Sequence, residues 1–246
     1  ERATLMAETG FDKQVLIPDG VFANMFWSPI GRKTGALEEG VRLALSMGFN
    51  NAVAAAQRRR PDRFIGTAIL PIPDVAASCE EATRAVKELG LKAITLQGNW
   101  MGTNWDALEL YPFWRTASDL GATIFVHHVP FQPERGHVDH QPSSNILGYD
   151  RIRRLHISAY LGFGIEYIWG IACLTLGGVL EEFPNLKFCF FESGASFLPW
   201  LMFRLDQSFR IEPQCARTTT KPSELIRRSI LLAAESDEFC LPQAIA

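Results

Sequence analysis

The four residues Thr123-Ile-Phe-Val126 constrain this chain more than any other stretch. They form an uninterrupted apolar, β-rich run, which suits a strand covered on both faces in a parallel sheet. Gly121 precedes the run. His127 and His128 follow it, and Pro130 cannot continue a central strand. Histidines released at the carboxyl end of a buried parallel strand stand where α/β barrels and doubly wound sheets keep their chemistry. Two readings of the pair are open. One is a hydrogen-bonded core residue followed by a loop residue; the other is a ligand or proton-transfer group.

Around that run, apolar segments alternate with helical spacing. Lys13 to Pro18 is a short strand that opens into a long loop bearing Gly, Pro and Trp, through Gly35. Ala36 to Arg60 has helical spacing and closes on Arg58-Arg59-Arg60, a run that favours a solvated helix C-terminus through the dipole. Pro61 breaks that helix, and Phe64 to Leu70 is the next strand. Asp74 has the chemistry of an N-cap for a helix from Val75 to Leu89, with Gly90 at its end. Leu91 to Gln97 reads as a third strand, and Tyr111 to Leu120 as a helix ended by Gly121. Phe131 to Tyr149 is a loop rich in Pro, Gly, His and Ser, of a size usually reserved for function. Arg151 to Leu161 and Ile165 to Phe183 read as two helices. Leu186 to Phe191 is a fifth strand, with Glu192-Ser-Gly194 at its carboxyl end. Phe197 to Phe209 is helical, and Ser223 caps a short helix through Arg228. Ile230 to Ala234 is a sixth strand, and Leu241 to Ala246 begins another helix.

Strands alternating with helices predict a parallel α/β fold. Neither G-x-G-x-x-G nor G-x-x-x-x-G-K-[ST] follows any strand. The dinucleotide and P-loop fingerprints are therefore missing, and a barrel is the better match. A length of 246 residues suits one domain of that kind. A net charge of -3 gives no electrostatic ground for a nucleic-acid or anionic-membrane partner. No apolar run approaches the roughly 20 residues that cross a bilayer. Five scattered cysteines without a C-x-x-C pair fit free thiols in a reducing cytoplasm. The expected partner is a small-molecule substrate, and a homodimer is left open.

Several stretches together resemble one family: Glu8 to Pro18, Pro61 to Phe64, Ala85 to Gly90, Phe125 to His127, Gly177 to Lys187, and Leu205-Asp206. They are similar to the amidohydrolase-related family, in the branch of aminocarboxymuconate semialdehyde and resorcylate-type decarboxylases. Gly177 to Asp206 is the most specific part. The resemblance implies a metal-dependent hydrolase fold of the (β/α)8 TIM-barrel type. It also implies one divalent ion, zinc or manganese, at the carboxyl ends of the strands. The family's ligands are a His-x-His pair on strand 1, a His ending strand 5, often a His ending strand 6, and an Asp on strand 8.

Laid on that pattern, residues 1–246 are expected to form a single barrel domain holding strands 2 to 7, without the first and last. The strands at Lys13–Pro18 and Ile230–Ala234 should then be edges flanking a groove. His127 falls on the strand-5 ligand position, whereas His128 points to the other side of the strand if the pleat persists. Glu192 stands about where relatives place the strand-6 histidine, as a ligand or a catalytic acid or base. Its other reading is a buried carboxylate satisfied by the helix start near Ser196 and Phe197. Gln97 ends the strand on which dinuclear members carry a carbamylated lysine; an amide cannot bridge metals, which argues for one ion. His128, Gln97, His137 and His140 are weaker substrate-side candidates. Arg63 enters its strand from the amino end, where a structural role is expected.

The implied activity is that of a metal-dependent hydrolase or a non-oxidative decarboxylase, a carboxy-lyase, acting on a small carboxylated or cyclic substrate. The rival reading is a metal-free barrel relative that serves as a binding or scaffold protein.

Overall fold

The expected alternation of strand and helix is present throughout the computed structural model, which describes residues 2–18, 39–127 and 158–245. The chain runs α1 (Arg2–Glu8), β1 (Gln14–Leu16), α2 (Glu39–Arg59), β2 (Phe64–Ala68), α3 (Val75–Lys87) and β3 (Ala93–Leu96). It continues through α4 (Tyr111–Leu120), β4 (Thr123–Val126), α5 (Ser158–Thr175), α6 (Val179–Glu182), β5 (Lys187–Phe190), α7 (Leu198–Ile211), α8 (Pro222–Ser229), β6 (Ile230–Leu232) and α9 (Leu241–Ile245).

Local chemistry sets several of these ends. Asp74 caps α3 by accepting from the Ala77 amide at 2.9 Å. Gly121 ends α4 with a left-handed backbone, φ 63°. Arg58 and Arg59 in the last turn of α2, and Arg60 just after it, are exposed, and Arg60 pairs with Asp62 at 2.9 Å, as a solvated helix end should.

All pairings in the six-stranded sheet are parallel, and spatial order follows chain order, β1 to β6. Among the described residues β1 pairs only with β2 and β6 only with β5, so the sheet is an open arc of an α/β barrel. The pleat divides its residues between two faces. On the outer face, Phe188 lies 5.8 Å from both Trp105 and Trp114 of α4, and Phe190 lies 5.0 Å from Tyr167 of α5, ring centre to ring centre. A Cβ added to Gly66 would stand 2.6 Å from Val53 of α2, so β2 and its helix touch there without a side chain between them. On the inner face, the Thr95 hydroxyl lies 2.6 Å from that of Thr67, which donates to the Leu16 carbonyl at 2.9 Å and ties three strands together.

Four sequence expectations need correction. β4 is not covered on both faces: Ile124 and Val126 are buried, whereas Thr123 and Phe125 are half-buried, because among the described residues no helix layer covers the inner face of the arc there. β3 is the strand buried at every residue. The break expected between Leu161 and Ile165 does not occur, and α5 runs through Gly162 and Gly164. Burial of Tyr167, Ile171 and Leu174 outweighs the helix cost of about 1 kcal/mol per glycine. The break comes instead at Gly177-Gly178, where Gly178 has φ 86°. Ser223 is not the cap of α8 but lies inside its first turn, and its amide donates to Asp206 of α7 at 2.9 Å. Helix α1 was not expected from the sequence at all; Met6 is its buried residue.

Candidate metal centre

The ladder between β3 and β4 runs one rung past the strands, with the His127 amide donating to the Leu96 carbonyl at 3.0 Å. The pleat therefore carries through His127, which shares the inner face with Phe125. On the next strand, the Phe191 amide donates to the Val126 carbonyl at 3.0 Å. The Phe191 ring meets Phe125 edge-on at 5.2 Å, also on the inner face. Alternation would then send Glu192 outward. It does not, because Glu192 has φ 57°, one of two non-glycine residues with positive φ among those described. Its Oε2 lies 3.5 Å from His127 Nε2. Left-handed backbone costs a non-glycine residue about 1–2 kcal/mol and persists where the surroundings over-determine it.

Part of that surrounding is Glu238, in the segment after β6. Its Oε1 accepts from the amides of Ala195, at 2.7 Å, and Ser196. Gly194, φ 65°, directly precedes them, and a Cβ there would stand 2.8 Å from the same oxygen. Burial pushes the Glu238 carboxyl up, but hydrogen bonds from Ser196 and Ala195 outweigh it and hold its pKa below the ordinary value. The buried-carboxylate reading of Glu192 is thereby corrected. The helix start near Ser196 is taken by Glu238, and the Glu192 side chain is 62% exposed. Glu238 lies more than forty residues further along the chain, and no local pattern signals its role.

The other candidates are placed as follows. Gln97 is buried one residue past β3, level with His127 on the adjoining strand. Arg63 donates to the carbonyls of Phe11, at 3.1 Å, and Asp12, at 3.2 Å, at the amino end of the sheet, which is the structural role expected of it. His128, His137 and His140 lie outside the described residues, as does the loop from Phe131 to Tyr149.

Two donors on one ion with bonds of roughly 2 Å in tetrahedral geometry stand about 3.3–3.5 Å apart. The His127–Glu192 separation fits that spacing, and an imidazole with a carboxylate is a donor set that manganese or zinc accepts. Among the described residues no group of three or more His, Cys, Asp or Glu could hold an ion, so the pair is a partial set. Beside it opens a cleft of about 770 Å³ between the edges of the arc, walled by Val15 and Ile17 on one side and by Phe191 and Ala233 on the other. Met6 and Leu5 of α1 also line it. The expectation of two edge strands flanking a groove is met.

The chain is 31% identical over 175 residues to 2-amino-3-carboxymuconate-6-semialdehyde decarboxylase of Dictyostelium discoideum, covering 71% of this chain and 44% of that protein. It spans about half the length of the curated relatives it matches. Among solved structures it resembles 5-carboxyvanillate decarboxylase of Sphingomonas paucimobilis, with TM-score 0.77, 22% identity, and coverage of 99% of this chain and 67% of that one. It also resembles a dihydroxybenzoic acid decarboxylase of Polaromonas with bound manganese and the inhibitor 2-nitroresorcinol, with TM-score 0.72, 21% identity, and coverage of 99% and 70%. At these identities the structural likenesses are likenesses of fold. The family model described as Amidohydrolase matches residues 26–212. That match spans well over half of the chain and takes in both strand ends that carry His127 and Glu192, and the chain therefore belongs to the amidohydrolase family.

Proposed function

We propose that this chain belongs to a metal-dependent, non-oxidative decarboxylase acting on a small ring-bearing or unsaturated carboxylate. The observation that carries the reading is the 3.5 Å approach of His127 Nε2 and Glu192 Oε2 at the carboxyl ends of adjacent parallel strands in an amidohydrolase fold. Decarboxylases among the relatives support it over hydrolysis, and manganese in a structural neighbour supports the metal.

In this reading a divalent ion, when bound, polarises the substrate carboxylate or an adjoining oxygen as a Lewis acid. His127, neutral, would hold it through Nε2. Glu192 would be the second holder and, being exposed, the group able to move a proton between solvent and the ring carbon that loses CO2. The inner-face rings of Phe125 and Phe191 give the substrate an apolar wall and keep water from the reacting carbon.

Residues 1–246 would be one barrel domain, and the strands closing it across the β1–β6 cleft, with the remaining ligands, would lie outside them. Among the described residues no helix is long and apolar enough to cross a membrane. A reducing cytoplasmic setting is supported by five free thiols, and a homodimer by the exposed Trp200 and Phe203 on α7.

The test is metal content and CO2 release in a polypeptide carrying the two closing strands. Changes outside the ligand shell alone cost metal sites about 10–100-fold, so His127→Ala should remove both metal and turnover. His128→Ala should leave most of each. A His127→Ala protein that keeps its metal and rate would sink the reading. The partial ligand set favours one rival, a metal-free scaffold. Absence of stoichiometric metal from the unsubstituted closed protein would decide for it.

A further inference from the structure

The two site residues sit on different strands, and both strands are touched just before their ends by one side chain from the helix layer. Tyr167 of α5 is fully buried, and its ring packs edge-on against Phe190 at 5.0 Å and stacks with Phe163 at 6.3 Å. Its hydroxyl lies 2.9 Å from the Phe191 carbonyl and 3.3 Å from the Val126 carbonyl. These carbonyls belong to the peptide bonds that lead into Glu192 and His127. We propose that Tyr167 is the positioning residue of the pair: its hydroxyl sets the spacing of His127 and Glu192 by holding the two peptides that carry them.

The geometry favours this over simple core packing. Phe191 follows the end of β5 and directly precedes the left-handed residue Glu192. A rotation of the 191–192 peptide would move the Glu192 carboxylate off the inner face, and the Tyr167 proton opposes it. The Val126 carbonyl already accepts the Phe191 amide at 3.0 Å, so the hydroxyl closes a three-point tie between the two strand ends. Glu238 secures the far side of the same turn through Ala195 and Ser196. The strained residue is thus held from both sides. A phenylalanine at position 167 would fill the same space and lose the tie.

The experiment compares the chain with its Tyr167→Phe variant. The metal-free readout is amide hydrogen exchange. Exchange at His127 and Phe191, the rungs nearest the hydroxyl, should speed up about tenfold while mid-strand Phe125 and Cys189 stay as they were. A uniform change, or none, would overturn the proposal. Replacing tyrosine by 3-fluorotyrosine, whose hydroxyl is a better donor, should slow exchange at the same two amides. Faster or unchanged exchange there counts against it.

The second arm rests on the ligand reading above and titrates manganese(II) into the polypeptide that carries the two closing strands. Tyr167→Phe should weaken affinity about fivefold, the scale of one lost hydrogen bond, and should do so only while Glu192 is present. An equal loss in a Glu192→Gln background would mean that Tyr167 does not act through Glu192, and would overturn it. Failure of that closed polypeptide, unsubstituted, to take manganese, with the exchange result as expected, counts against the metal reading alone and leaves the positioning role supported.

Discussion

The outer and inner faces of the same six-stranded arc are built on different terms. On the outer face Ile124, Val126, Phe188 and Phe190 are fully buried under the helix layer with Trp105, Trp114 and Tyr167. On the inner face Phe125 and Cys189 are half-buried, and Leu231, the next residue across, is 64% exposed. Burial of apolar area is the main stabilising term of a fold, so in this chain stability comes chiefly from the outer face. The inner face carries the site, and its strand ends are held by hydrogen bonds and left-handed turns rather than by packing.

The largest test of that contrast is a pair of truncations. Phe188→Ala should destabilise by about 3–5 kcal/mol, the range for a fully buried aromatic ring. Phe125→Ala, one strand away on the inner face, should cost about half of that or less. Denaturant midpoints of the two variants check it, and equal losses would erase the distinction.

A smaller effect comes from adding one methyl group on each side of the crowding limit. Gly66→Ala drives a Cβ to 2.6 Å from Val53 and 2.7 Å from Leu91, and overpacking of this kind costs about 1–3 kcal/mol. At Gly164, within α5, the added Cβ meets nothing within 4 Å among the described residues. Gly164→Ala should therefore stabilise, by up to about 1 kcal/mol of helix propensity. Thermal melts of the two variants should move in opposite directions.

The smallest effect is an acid one, and it sharpens the comparison by probing a clasp in the helix layer. Glu181 of α6 accepts from the Thr219 and Thr220 amides, both at 2.9 Å, and from the hydroxyls of Thr218 and Thr219. Burial pushes this carboxyl up, but those hydrogen bonds prevail and lower it to about 2 from an ordinary 4.5. A pKa lower in the folded than in the unfolded chain means that the clasp contributes fully above pH 4.5. The contribution fades as pH falls from there toward about 2. Solvent screening keeps it modest. Melting temperatures across that window should fall less steeply for Glu181→Gln than for the unsubstituted chain; parallel slopes would remove Glu181 from the account.

Within the sequence alone, the order and kind of the main elements were determined, because they rest on local chemistry. Apolar runs bounded by Gly and Pro are strands wherever they fall, Asp74 caps whatever helix follows it, and Gly121 ends α4 through its own backbone freedom. The position of His127 on the inner face was likewise legible, since the pleat alternates with period two from Phe125. Tertiary structure alone decided what depends on residues far apart in the chain. The glycines of α5 stay helical because the core buries its other side, and a glycine pair thirteen residues later, at Gly177, breaks instead. Glu192 faces His127 only because the backbone turns left-handed there, against the pleat that sequence spacing implies. That turn is held by Tyr167 from a preceding helix and by Glu238 from a segment beyond the next strand. Strain at one residue can be stabilised only by neighbours in space, and neighbours in space are what a linear pattern does not contain.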